Sequence, residues 1–197
     1  MSTIVSSLGF PRIGPHRELK VSLESYWSGA TDAAALLNSA AGLRARAWER
    51  QRALGVTHIP GNDFSLYDHV LDTSVMVGAI PPAYGWQGGN VSLDTYFAMA
   101  RGSSAKVDDE GCAHRHGGCD LPALEMTKWF DTNYHYMVPE FTAGQAFRLA
   151  STKPIDEFIE AGALGYRTRP VLLGPITYLL LGKGKQNGLD PLSLLDG

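Results

Sequence analysis

Cysteine is scarce in this 197-residue chain: there are two, Cys112 and Cys119, too few for a disulfide framework. No run of about 18 apolar residues occurs, which excludes a membrane-spanning helix. The opening MSTIVSSLGFPRIG has no basic stretch followed by an apolar one, so no secretory leader is expected. Charge of one sign is missing too. The 17 Lys+Arg stand against 20 Asp+Glu, for a net −3, which offers nucleic acid no general attraction. Neither a Walker-type phosphate loop, nor G-x-G-x-x-G, nor a G-x-S-x-G elbow is present. These absences leave a cytoplasmic protein with neither membrane nor nucleic acid as partner, and with enough apolar residues (44%) for one sizeable core.

What is present reads as strands alternating with helices. TIVSSLG (3–9), VTHIP (56–60), TNYHYMVPEF (132–141) and RPVLLGP (169–175) are the expected strands, the last a continuous apolar run suited to burial on both faces. Helices are expected from His16 to Trp27, after an N-cap at Thr31 up to Gly55, over 67–80, 92–102 and 153–165. The late arginines of the second helix (Arg44, Arg46, Arg50, Arg52) read as a solvated face. Such alternation implies βα units, a parallel sheet and right-handed crossovers. Polar residues gather just after the strands (Arg12, His16, Asn62, Asp63, Glu140, Thr177), where a βα barrel carries its site. About four strands are countable, half of an eight-stranded barrel. Asp190 and Pro191 then announce a helix near the last residue, so a fragment is the expectation.

Three stretches carry chemistry. In GFPRIGPHRELK (9–20), His16, Arg17 and Lys20 collect at an expected helix start, where the macrodipole is already positive and Glu18 offsets only part of the charge. With the free N–H groups of a first turn they suit an extended polyanion, or else are incidental surface cations. EMTKWFDTNYHYMVPEF (125–141) is dense in aromatics, namely Trp129, Phe130, Tyr134, Tyr136 and Phe141. Lys128 among them is either a surface lysine with a buried stem or a second clamp for the anion. Asn133 and His135 alternate with the tyrosines and read as polar positions near a strand end. In CAHRHGGC (112–119), Cys112, His114, His116 and Cys119 are zinc-ligand types, but C-x-H-x-H-x₂-C is not a common structural pattern. That piece reads as part of an exposed insertion with at most an adventitious metal site, and residues 103–123, polar and Gly-rich with no period, read as an exposed loop. Asp63, Asp68 and His69 hint at acid–base chemistry without a matched nucleophile, and Asp63 is equally a helix cap.

LGFPRIGPHRELKVSLESYWSG, GNDFSLYDHVLDTS, EMTKWFDTNYHYMVPEF and RPVLLGPITYLLLGK, in that order, resemble the N-terminal part of the cobalamin-independent methionine synthases. The resemblance extends over nearly the whole chain and departs from the family around 103–120. It implies an α/β protein of the (β/α)8 TIM-barrel type, with about the first half of the N-terminal barrel present in residues 1–197. It further implies transfer of a methyl group, without cobalamin, from 5-methyltetrahydropteroyltri-L-glutamate to L-homocysteine. The family's zinc, held by a histidine, two cysteines and a carboxylate, and its homocysteine site belong to the C-terminal barrel. No residue of this chain is matched to them, and no catalytic residue is expected here. The folate-binding residues implied are Arg17, Glu18, Leu19, Lys20 and Lys128. A triglutamate tail is a polycarboxylate of the kind those cations suit.

Overall fold

The computed structural model describes residues 3–104 and 120–196. Along them run α1 (Glu18–Trp27), α2 (Ala33–Ala53), β1 (Ile59–Gly61), α3 (His69–Met76) and α4 (Leu93–Arg101). There follow β2 (Ser103–Ser104), β3 (Asp120–Leu121), β4 (Met126–Lys128), β5 (His135–Met137) and β6 (Glu140–Phe141). The chain then gives α5 (Lys153–Ala163), β7 (Thr168–Pro170), α6 (Pro175–Leu181) and β8 (Lys183–Gly184), with 3-10 turns at Pro82–Tyr84 and Pro191–Leu194. Helix and strand are mixed as expected of an α/β protein. The described strands pair two by two and form no closed sheet: β1–β7 and β6–β8 are parallel, β2–β3 and β4–β5 antiparallel. The all-parallel expectation is thus corrected, because β4 and β5 are close in sequence and meet as a hairpin. The chain divides into two compact units, each built from two separate segments.

The first unit takes the residues up to Leu66 together with Thr152–Leu172. Asp32, not Thr31, caps α2, its carboxylate accepting from the Ala35 N–H at 2.8 Å. Gly55, at φ 88°, follows the helix in the left-handed region that an L-residue avoids. α1 and α2 pack together, burying Leu19, Leu23, Leu36 and Leu43. Trp48 of α2 lies against Ile59 of β1 and Ala161 of α5. In the parallel ladder Ile59 stands opposite Thr168 and Gly61 opposite Pro170. Of the strand expected over 3–9, one parallel bridge forms, Ser6 to His58. Thr57 takes up the backbone of Val5 instead, with its hydroxyl and its N–H.

The expectation of a strand buried on both faces at 169–175 is also corrected. β7 ends at Pro170, and Arg169, Pro170 and Leu172 are exposed. α5 reverses the usual arrangement of an amphipathic helix. It buries Glu157 and Ala161, while Ile155, Phe158 and Ile159, at one-face spacing, are each about half exposed.

The second unit takes Tyr67–Ser151 and the residues from Leu173 onward. Its core joins Val70, Ala79, Tyr136, Val138, Phe141, Tyr178 and Leu179. Asp68 caps α3, accepting from the N–H groups of Val70 (2.8 Å) and Leu71 (3.0 Å). Ser92 caps α4 through the Thr95 N–H at 3.1 Å. TNYHYMVPEF yields two short strands, split at Val138–Pro139, where proline cannot donate to a ladder. α6, a helix with no counterpart in the sequence expectations, starts with Pro175 at its first position. A Cβ on Gly182, the residue ending α6, would run into the Phe141 ring, which is fully buried. Gly182→Ala is therefore expected to lower unfolding free energy by about 1–3 kcal/mol in urea denaturation. An unchanged midpoint would show that the ring has room to move.

Candidate functional site

The stretch that raised the charge question begins its helix later than expected. Arg17 is the N-cap, and Glu18 opens the first turn. The acid therefore stands where the dipole favours it, and His16 and Arg17 lie outside the helix. The donors at this end are also largely taken. The Arg17 N–H bonds the Gly14 carbonyl at 3.1 Å, the Leu19 N–H bonds the Ile13 carbonyl at 3.1 Å, and the His16 N–H bonds the Glu18 carboxylate at 3.0 Å. Anion binding by free first-turn N–H groups is thus not what this geometry offers; side chains would have to supply it.

The Glu18 carboxyl is held below its usual range, foremost by its own backbone N–H, then by the backbone N–H of His16 and the guanidinium charge of Arg46. It folds over Gly14, whose φ of 83° and missing Cβ leave the space. Leu19 is in the core, 1% exposed, and anchors the segment. Lys20 sits 3.5 Å from Glu24 in an exposed pair of the kind that contributes little. Arg17 is different. Its backbone is left-handed, φ 62°, its side chain is exposed, and no ion pair holds it among the described residues.

Lys128 lies in the second unit, at the end of β4, opposite His135. Both are exposed. The hairpin tip is fastened by the Trp129 N–H to the Tyr134 carbonyl (2.8 Å) and by the Thr132 N–H to the Trp129 carbonyl (3.1 Å). Trp129 stands edge-on to Tyr136, 6.0 Å between centroids. His135 Nδ1 and the Asn133 carbonyl are 2.9 Å apart, a local contact in an exposed turn.

The other sequence candidates resolve into structural roles. Asp63 caps no helix; its carboxylate accepts from the Phe10 N–H at 2.8 Å and ties down the loop before Gly14. Burial pushes its pKa up, against that hydrogen bond. Asp68 is the cap, and its second oxygen accepts from the Met137 N–H at 3.2 Å. Burial raises it to about 6. With three backbone donors on its carboxylate, it is committed to holding α3 and β5, and the His69 N–H is given to the Tyr134 hydroxyl at 3.0 Å. Arg12 donates to the Ser65 carbonyl. Cys112, His114, His116 and Cys119 lie outside the described residues. Among the described residues no group of three His, Cys, Asp or Glu is placed to hold a metal, and no helix is long and apolar enough to cross a membrane. A cleft of about 460 Å³, lined by Phe10, Ile13, Leu43, Trp48 and Phe64 among others, lies beside Gly14 without including Arg17 or Lys20.

Two features went unread in the sequence. Arg44 is not on a solvated face: it bonds Glu160 at 2.7 Å and lies 3.8 Å from Glu157, which also meets Lys153 at 3.2 Å and the Asn62 N–H at 3.1 Å. Asn62, left-handed at φ 55°, completes the network, taking the Lys153 ammonium on its Oδ1 at 2.8 Å. Phe130 is also left-handed, φ 48°. Asparagine is among the residues that accept such a backbone, so Asn62 carried a weak cue, whereas Phe130 carried none.

Residues 4–197 match the family described as cobalamin-independent synthase, N-terminal domain. The chain is 65% identical to a 5-methyltetrahydropteroyltriglutamate–homocysteine methyltransferase of Caulobacter vibrioides, over 99% of this chain and 26% of that protein. It is 68% identical to the protein of the same name from Nitrobacter winogradskyi, over 97% of this chain and 25% of that one. It thus spans about a quarter of the length of these curated relatives. On a family match of this extent, the chain belongs to the cobalamin-independent synthases, by way of their N-terminal domain.

Proposed function

We propose that this chain is the folate-binding N-terminal part of a methyltransferase that passes the methyl group of 5-methyltetrahydropteroyltri-L-glutamate to L-homocysteine, making L-methionine. The names of the long relatives support the reaction. The share of this chain is to bind the folate, with Arg17 and Lys20 assigned to its polyglutamate tail and Lys128 to a folate carboxylate. The observation that carries the reading is Arg17: an exposed guanidinium on a left-handed backbone, without an ion pair among the described residues. Non-glycine residues held in that backbone region cluster at ligand-binding sites. Glu18 and Leu19 fix the segment; Lys20 is free to exchange Glu24 for a carboxylate of the tail.

In the full-length enzyme the zinc would supply homocysteine as thiolate at neutral pH. The described residues offer it no ligand set, so no step is assigned to this chain, and residues 1–197 alone bind without catalysis. The fold proposed is part of a (β/α)8 barrel, supported by the parallel pairs β1–β7 and β6–β8; a cytoplasmic location fits such an enzyme.

The test is calorimetric titration with 5-methyltetrahydropteroyl mono- and triglutamate. The triglutamate is expected to bind more tightly. Arg17→Ala and Lys20→Ala should each weaken it by about tenfold, as loss of a charge-assisted hydrogen bond does, and leave the monoglutamate nearly unchanged, whereas Lys128→Ala should weaken both ligands. Equal affinity for both ligands, in wild type and variants alike, would refute the assignment.

A further inference from the structure

Phe130 stands at the tip of the β4–β5 hairpin with φ 48° and three-quarters of its surface exposed (75%). A bulky residue at positive φ is a genuine outlier, and turns of this sort are normally made with glycine or asparagine. Looseness does not explain it, because hydrogen bonds on both sides of the residue close the turn. Packing does not offset it either. Its one described ring contact is edge-on to Trp129, 5.6 Å between centroids, and the ring otherwise faces solvent. Strain without internal compensation points to a ligand. The neighbourhood says which kind: Lys128, an exposed cation, precedes Phe130 by two residues, so their Cα atoms are within about 7 Å.

We propose that Phe130 is a binding residue for the p-aminobenzoyl ring of the folate, which stacks on it while the adjoining carboxylate meets Lys128. The ligand's own bonding supports the pairing. The benzoyl ring is joined by one amide to the first glutamate, so ring and carboxylate fall within the reach of two neighbouring side chains. Trp129, edge-on to both Phe130 and Tyr136, braces the platform from behind. Aromatic rings in offset or edge contact add binding beyond the area they bury. The proposal rests on the folate reading above and extends it from the anionic tail to the ring.

Titration of the 197-residue chain with p-aminobenzoyl-triglutamate, and with triglutamate lacking the ring, tests it. Phe130→Gly relieves the backbone and removes the ring, so it folds at least as well as wild type. It is expected to bind p-aminobenzoyl-triglutamate about tenfold more weakly and triglutamate unchanged, with Phe130→Trp restoring affinity to within about threefold. If Phe130→Gly binds both ligands as wild type does while Lys128→Ala weakens both, the ring platform is refuted and the folate reading stands. If the wild-type chain binds neither ligand, both fall together.

Discussion

Glu157→Ala is expected to lower the unfolding free energy of the first unit by about 3 kcal/mol. The carboxylate is 4% exposed and serves three partners: the Asn62 N–H at 3.1 Å, Lys153 at 3.2 Å and Arg44 at 3.8 Å. Stripping one member from a buried pair costs about 3–5 kcal/mol, because a charge is left without compensation. The lower end applies here. Arg44 keeps Glu160 at 2.7 Å and Lys153 keeps the Asn62 Oδ1 at 2.8 Å, so neither cation is abandoned. The unrecovered loss falls on the Asn62 N–H, at the end of β1, in a conformation the hydrogen bond helps to hold. Glu157→Gln retains an acceptor for that N–H and should cost only about 1–2 kcal/mol. Urea denaturation separates the two; if both variants fall within about 0.5 kcal/mol of wild type, the network adds nothing net.

Asp68→Asn is expected to remove a pH dependence of roughly 3 kcal/mol from the stability of the second unit. Burial raises the Asp68 pKa to about 6, from the 3.8 of an unperturbed aspartate. Between those values the folded state binds a proton that the unfolded chain does not, so stability falls as pH rises from about 4 to about 6 and levels off above. The wild type should therefore gain on the variant as pH drops through that window. At neutral pH the difference is smaller: the amide relieves a buried charge but points a donor at the Met137 N–H, losing that bond. Urea midpoints at a series of pH values, subtracted between the two proteins, give the slope. Parallel profiles would mean that the carboxyl titrates like an exposed one.

Most of the helices, though not α6, were legible because their ends carry chemistry. Ser92 before Leu93 and the glycines at 55 and 165 mark boundaries in the sequence and in the structure alike, while Asp190 before Pro191 opens only a 3-10 turn. The strands were not, since two or three residues are too few for a period to show, and β7 stops where the apolar run continues. α5 shows a deeper limit. Its pattern points Ile155, Phe158 and Ile159 inward, yet Glu157 is the side chain buried, drawn by Arg44 from the far part of the unit. At the candidate site the cations could be read from the sequence, but the left-handed backbones of Arg17 and Phe130 could not. Arginine and phenylalanine rarely take such a backbone, so residue type gives no cue to it.

The discontinuity of the first unit has a consequence for how the chain is made. Trp48 packs against Ala161, and Asn62 needs Glu157; both partners belong to the returning segment, Thr152–Leu172. On a ribosome working N-terminus first, everything from Tyr67 to Ser151 must emerge in between, an interval on the order of ten seconds. During that interval α1 and α2 wait with the indole of Trp48 uncovered. The nascent chain passes through a stage at which its first segment is a client for chaperones, and the arrival of α5 ends it.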